Sequence, residues 1–78
     1  MKLDHTIPLE LSGDNSRENL VLVSAEEWER YTPVENALGK ALRQGKINKT
    51  RAQELILSFK NKWIGEREIE AATGIKIK

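Results

Sequence analysis

The chain contains no cysteine and only one histidine, His5, among its 78 residues. Without cysteine, neither a disulfide framework nor a thiolate zinc cluster can stabilise a small core. No apolar run approaches the roughly 20 residues that span a bilayer, and the first residues lack the charged and apolar regions of a signal peptide. We therefore expect one small cytoplasmic domain over residues 1–78 that does not contact a membrane and is stabilised by its core or by a partner.

Charge is divided unevenly along the chain, although the formal net charge is only +1. Residues 1–36 carry a net charge of −5, and residues 37–78 carry +6. Between positions 40 and 51 the charged side chains are all basic: Lys40, Arg43, Lys46, Lys49 and Arg51. This stripe is compatible with binding a polyanion, and the acidic half with holding a cation. Solvated lysines at helix ends are the alternative interpretation.

The first 24 residues predict an antiparallel hairpin with a long connection. Apolar and polar residues alternate from Leu3 to Ile7, which predicts a strand that ends before Pro8, because proline has no N–H to donate. Residues 10–18 are rich in turn-forming types and predict a loop. The β-branched run Leu20–Val23 predicts the second strand.

Two helix starts lie close together after the hairpin. Ser24 and Glu27 have the spacing of a capping box, which predicts a short helix. Thr32 and Pro33 predict the start of a second, longer helix, because proline is favoured at the first helical position. Apolar residues at helical spacing continue to Gly45, a residue type that commonly ends helices in the left-handed conformation.

The clearest helical pattern lies in the last third of the chain. Apolar residues recur every three or four positions from about Thr50 to Ile64, with Thr50 as the predicted cap. A last short helix is predicted from Glu66 to Thr73. The large aromatic residues on apolar stripes are predicted to lie in the core rather than to stack on bases: Trp28, Phe59 and Trp63.

The order strand, long loop, strand, helix predicts an α+β fold, and specific residues within it point to a family. They are Asp4-His5, Ile7-Pro8-Leu9, the turn Gly13-Asp14-Asn15-Ser16 and Glu18-Asn19-Leu20. This stretch resembles the ββα-metal core of the HNH endonucleases. Further matches resemble the helical tail of a phage-associated and bacterial branch: Val34-Glu35-Asn36, Leu38, Gly45-Lys46-Ile47, Ala52-Gln53 and Trp63. The resemblance implies a ββα core at residues 1–44 and a helical extension at residues 45–78.

The resemblance also implies an activity, the metal-dependent hydrolysis of DNA phosphodiester bonds. Such a reaction needs a base that deprotonates water and a cation that neutralises the charge growing on the phosphate. His5 would be the base and Asp4 a metal ligand, although an ideal strand places the two side chains on opposite faces. Asn19 would position the loop through hydrogen bonds. The basic stripe would contact DNA phosphates without reading the sequence.

The third metal ligand remains open, because family members place a second histidine or an asparagine on the following helix and this chain has no second histidine. Asn36 is the preferred candidate, Glu35 the next, and Glu29 a further one. Glu35 is also predicted to cap the helix that begins at Thr32. Oxygen ligands of this kind suit Mg²⁺ or Mn²⁺ rather than zinc.

A second functional class stays open beside the enzyme. The chain could be a catalytically inactive HNH-like module that binds nucleic acid or a protein partner. Met1 lies only two residues ahead of Leu3, whereas HNH enzymes commonly carry more chain before the first strand. We therefore expect a truncated domain, a subunit of a larger nuclease or phage assembly, or the product of a split reading frame.

Overall fold

The computed structural model describes residues 1–11, 13 and 15–77. Ser12 and Asp14, which belong to the predicted turn, lie outside the described residues. Within the part of the chain that the structure describes, no helix is both long and apolar enough to cross a membrane.

Two strands pair antiparallel at the N-terminus, β1 at Lys2–His5 and β2 at Leu20–Val23. The hairpin and its long connection confirm the prediction. Strand β1 stops before Ile7, because the Thr6 and Ile7 amides bind the backbone and side chain of Asn19 instead of a β partner. Within the connection the chain forms short 3₁₀ turns at Leu9–Leu11 and Arg17–Asn19.

The inner face of the hairpin is polar at its centre. Asp4 is 7% exposed, whereas its neighbour Leu3 is 62% exposed and pairs with the equally outward Leu22. A strand that turned its apolar residues inward would have buried Leu3 instead. Burying Asp4 requires a compensating partner, which the helices supply.

Helix α1 is a single helix over Ala25–Arg43. The predicted capping box is confirmed, since Ser24 Oγ accepts from the Glu27 amide at 3.1 Å and the Ser24 amide donates to Glu27 Oε1 at 3.1 Å. The predicted helix start at Thr32 is wrong, because Pro33 lies inside α1. Pro33 and Glu29 are exposed, so the Glu29 carbonyl that loses its N–H partner faces water.

The C-terminus of α1 follows its prediction. Gly45 has a φ of 73°, and the amides of Gly45 and Lys46 donate to the carbonyls of Leu42 and Ala41 at 3.1 and 2.9 Å. This is the Schellman arrangement, which satisfies carbonyls at the helix end. Because α1 is continuous, Glu35 lies in its middle, and the prediction that Glu35 caps a helix is wrong.

Helix α2 spans Lys49–Lys60 and helix α3 spans Glu66–Thr73. Asn48 caps α2 by accepting from the Arg51 amide at 2.7 Å, so the predicted Thr50 cap is wrong. The bounds of α3 confirm the prediction.

The predicted end of α2 at Ile64 is also wrong, because Lys62 adopts a φ of 63° and turns the chain. Trp63 beyond it is 76% exposed, which contradicts its predicted place in the core. Trp28 is 37% exposed with the Lys2 ammonium 5.1 Å from its ring, whereas Phe59 is buried as predicted.

The core lies where α1 packs against α2 and α3, and the hairpin covers one side of it. Tyr31 and Phe59 meet edge to face, with ring centroids 6.1 Å apart. Several apolar side chains from the loop and the helices are fully buried: Leu11, Val34, Leu38, Ala52, Ile56 and Ile69. One core thus places β1, the middle of α1 and the end of α2 next to each other.

Candidate functional site

The ammonium group of Lys60 lies between two carboxylates where β1, α1 and α2 meet. Its Nζ is 2.9 Å from Asp4 Oδ2 and 3.0 Å from Glu35 Oε2. It also donates to the backbone carbonyl oxygen of His5 at 2.7 Å. The contacts with Asp4 and the His5 carbonyl are hydrogen bonds, whereas the contact with Glu35 Oε2 is an ion pair without hydrogen-bond geometry. We call Asp4, Glu35, Lys60 and the His5 carbonyl the lysine cluster.

The lysine cluster is shielded from solvent. The side chains of Lys60, Asp4 and Glu35 are 10%, 9% and 15% exposed. The Tyr31 ring lies 5.0 Å from Lys60 Nζ, close enough for a cation–π contact. Burial raises the pKa of Tyr31, with the Glu27 charge adding to the effect. A charge in such surroundings is tolerated only when it is paired, so the members of the cluster depend on each other.

Sequence reasoning missed Lys60, although a signal for it exists. Lys60 follows Ala52 and Ile56 at intervals of four residues, and both of these are fully buried. Residues four apart lie on one helix face, so Lys60 continues the buried row of α2. A basic residue in a buried helix row, together with an acidic residue inside a short strand, is a pattern that predicts a buried ion pair.

The imidazole of His5 is hydrogen-bonded to the long connection, whereas its backbone carbonyl binds Lys60. Its Nε2 is 2.7 Å from Asn15 Oδ1, across the long connection. If Nε2 carries the proton it donates to Asn15, and Nδ1 then holds the lone pair that a general base needs. The backbone and the side chain of His5 therefore have different partners. The carbonyl accepts from Lys60, and the imidazole contacts Asn15 of the long connection.

Asn19 braces the chain beyond His5, in the kind of role the resemblance implies. Its Oδ1 accepts from the Ile7 amide at 2.8 Å, and its Nδ2 donates to the Ile7 carbonyl at 2.9 Å. The brace acts on Ile7 rather than on the His5 carbonyl, which Lys60 takes. Gly13 packs so closely that a Cβ there would overlap the Ile7 carbonyl, so only glycine fits. Gln53 of α2 donates to the Leu11 carbonyl at 2.8 Å and anchors the same loop.

Of the candidate metal ligands, the structure brings Asp4 and Glu35 together, joined by Lys60. The side chains of Asn36 and Glu29 are exposed to solvent. Adjacent helix residues differ by about 100° around the axis, so Glu35 and Asn36 point in different directions. Of the candidates for the third ligand, Glu35 rather than the preferred Asn36 thus lies near Asp4.

The predicted Mg²⁺ or Mn²⁺ does not fit this cluster as it stands. Its donors are oxygens, the type that hard cations prefer. The ammonium, however, already lies where those oxygens converge, and two cations cannot share that position. No group of three or more His, Cys, Asp or Glu side chains is placed to hold a metal ion within residues 1–11, 13 and 15–77.

A second charged region surrounds the turn between α1 and α2. It contains the five basic residues of the stripe, all exposed, and we call it the basic corner: Lys40, Arg43, Lys46, Lys49 and Arg51. Lys40 and Arg43 belong to the last turn of α1, where positive charge stabilises a helix. Lys49 and Arg51 belong to the first turn of α2, which contains no acidic residue. Positive charge there opposes the helix dipole. Arg51 Nη1 lies 3.7 Å from Glu54 Oε1 one turn later in α2, whereas no such helix pair accounts for Lys49 among the described residues.

No protein-family model matches the chain, and neither does any curated protein or solved structure. The coarse arrangement of an antiparallel hairpin followed by helices is that of a small α+β fold. The resemblance to HNH endonucleases rests on the residues quoted above.

Proposed function

We propose that the chain is a nucleic-acid-binding module that contacts phosphates through the basic corner and does not read sequence. The observation that carries this proposal is the pair Lys49 and Arg51 on the first turn of α2. Helix N-termini present unpaired backbone amides and the positive end of the dipole, both of which favour a phosphate. A polyanion would neutralise Lys49 and would compete with Glu54 for Arg51, since the Arg51–Glu54 pair at 3.7 Å is exposed to solvent and therefore weak.

The lysine cluster favours binding over cleavage. Hydrolysis of the HNH type requires a cation that is free to meet the phosphate, whereas the Lys60 ammonium is held by three oxygens and is 10% exposed. We therefore propose that the module requires no divalent cation to bind nucleic acid, so that binding persists when divalent cations are chelated.

The test is the salt dependence of binding to two unrelated DNA duplexes. Neutralising five phosphates predicts a slope of log affinity against log salt of about −4.5, the same for both sequences. Replacing Lys46, Lys49 and Arg51 together with alanine should reduce the size of the slope by about 2.7.

The matched control replaces three exposed basic residues elsewhere, Lys2, Arg17 and Arg67, and so changes the net charge equally. It should leave most of the slope intact. Equal losses in the two triple variants would remove the basic corner from the proposal. No binding at low salt would remove the nucleic-acid function and favour a protein partner.

A metal-dependent DNA endonuclease of the HNH type is the second candidate. The observation in its favour is the convergence of Asp4, Glu35 and the His5 carbonyl on one cation, beside a histidine whose loop is braced by Asn19. In that function His5 takes the proton of the attacking water while the scissile P–O bond breaks.

Plasmid nicking in Mg²⁺ or Mn²⁺ tests the second candidate. His5→Ala should lower the nicking rate by about 10²- to 10⁴-fold if His5 is the base. Asn36→Ala tests whether Asn36 is a metal ligand. Asn36 is exposed, so its replacement should lower the nicking rate only if its side chain binds the metal. Equal nicking by wild type and His5→Ala would assign the activity to a contaminant or to another base. A folded wild type that does not cleave would remove this candidate.

A further inference from the structure

We infer that Lys60 is the resident cation of the lysine cluster, and that its removal converts the cluster into a site for Ca²⁺. This inference is independent of the nucleic-acid function. It concerns only Asp4, Glu35, Lys60 and the backbone of His5, none of which belongs to the basic corner.

The first argument is that the protein already shows a cation bound at this position. Two carboxylate oxygens and one carbonyl oxygen surround a single point at 2.7–3.0 Å. They come from β1 and the middle of α1, so the backbone positions that carry them belong to elements other than α2, which supplies the ammonium. Without Lys60, two formal negative charges would remain in a largely buried space with no positive one.

The second argument is that Ca²⁺ requires a smaller rearrangement of these oxygens than Mg²⁺ does. Ca²⁺ binds oxygens at about 2.3–2.6 Å with flexible geometry, whereas Mg²⁺ requires about 2.0–2.1 Å and a near-ideal octahedron. Oxygens that now lie 2.7–3.0 Å from one point need to contract by only a few tenths of an ångström for Ca²⁺. Removing the lysine side chain also opens space for the waters that complete the coordination of Ca²⁺.

The third argument is that the wild type resists metal. An ion would have to displace an ammonium that is tethered to α2, and tethering gives that group a high effective concentration. The displaced ammonium would also lose its Tyr31 contact. Because metal and ammonium carry charge of the same sign, they cannot occupy the cluster together.

The experiment measures Ca²⁺ binding to wild type, Lys60→Ala and Lys60→Met by calorimetry, thermal unfolding and backbone NMR. In the variants, Ca²⁺ should shift the Asp4, His5 and Glu35 signals and raise the melting temperature by roughly 10 °C at one hundred times its Kd. Mg²⁺ should bind the variants more weakly, and wild type should show none of these changes. Lys60→Met keeps the apolar stem and serves where Lys60→Ala leaves a destabilising space.

The double variant Lys60→Met with Asp4→Asn is the control, and it should lose Ca²⁺ binding. Should a single variant be unfolded without metal, its refolding on addition of Ca²⁺ supports the inference, and failure of both variants to refold overturns it. Folded variants that do not bind Ca²⁺ also overturn it. Wild-type protein that binds Ca²⁺ with the same shifts at Asp4 and Glu35 would show that Lys60 does not exclude metal.

Discussion

The lysine cluster and the basic corner use charge in opposite ways. The cluster holds one basic side chain between two acidic ones in nearly full burial, whereas the corner holds five basic side chains that are all exposed. In the cluster, distances of 2.7–3.0 Å and the low polarity of the surroundings make each charge indispensable to the others. In the corner, water and salt screen the charges, so each contributes little to stability and a polyanion can compete for it.

The difference in burial indicates which charges stabilise the fold and which can bind a ligand. A net charge, or a count of lysines, treats Lys60 and Lys40 alike. Burial separates them, since Lys60 is enclosed by three structural elements and Lys40 lies on the open surface of α1. Three substitution experiments and one pH titration test this difference between buried and exposed charges. They are ordered by the size of the expected effect.

The largest effect is expected from Lys60→Met, which leaves Asp4 and Glu35 buried without a cation. The free energy of unfolding should fall by about 3–5 kcal/mol in urea denaturation without divalent metal. Lys40→Met, the same change in the basic corner, should alter it by no more than about 0.5 kcal/mol. Similar decreases in the free energy of unfolding for Lys60→Met and Lys40→Met would contradict the distinction between the two regions.

The second effect concerns a half-buried brace that carries no charge. Asn19→Ala leaves the Ile7 amide and carbonyl without their side-chain partner, and should lower the free energy of unfolding by about 1–3 kcal/mol. Asn36→Ala, at an exposed position of α1, should be neutral within about 0.5 kcal/mol. Thermal unfolding monitored by circular dichroism measures both changes. A neutral Asn19→Ala would show that water replaces its hydrogen bonds.

The third effect separates helix geometry from charge within the basic corner. Asn48→Ala removes the cap of α2 and should cost about 1 kcal/mol of stability, whereas Thr50→Ala should cost much less. Neither change alters the charge of Lys49 or Arg51, so the salt slope of DNA binding should stay the same in both variants. A changed slope would mean that the cap itself takes part in binding.

The smallest effect comes from a half-buried carboxylate that caps a helix. A hydrogen bond from the Ser24 amide lowers the pKa of Glu27 below its ordinary value of 4.5. The folded state therefore binds fewer protons than the unfolded state, and this contribution to stability is present above pH 4.5 and is lost as the pH falls through the folded pKa.

Glu27→Gln keeps an oxygen that can accept from Ser24 but cannot titrate. The difference in melting temperature between wild type and Glu27→Gln should be largest near pH 7 and should shrink towards pH 3. A difference that is constant across this range would assign the effect to packing. Glu68, whose pKa the Gly65 amide lowers in the same way, provides an independent repeat at α3.

Features that depend on neighbours in the chain could be predicted from the sequence. The strand Leu20–Val23, the Ser24–Glu27 capping box, the left-handed Gly45 and the bounds of α3 all follow from patterns a few residues long. Local patterns also produced the errors, because the Thr32 and Pro33 pattern is a good helix start in isolation. In the structure α1 continues past Pro33, because the residues before and after it, Tyr31 and Val34, are both buried in the core.

The candidate site likewise has features that follow from local sequence and features that depend on tertiary packing. The sequence by itself determined the acidic and basic halves, the Asp4-His5 pair and the run of basic residues from Lys40 to Arg51, because these depend on residue type and local spacing. The family resemblance implied a bracing role for Asn19, and the structure directs that brace to Ile7. Only the tertiary structure decided that Asp4 meets Glu35 rather than Asn36, and that Lys60 closes the cluster from 56 residues away. The physical reason is that pairing a buried charge depends on which elements pack together, and this geometry is not written in any short stretch of the chain.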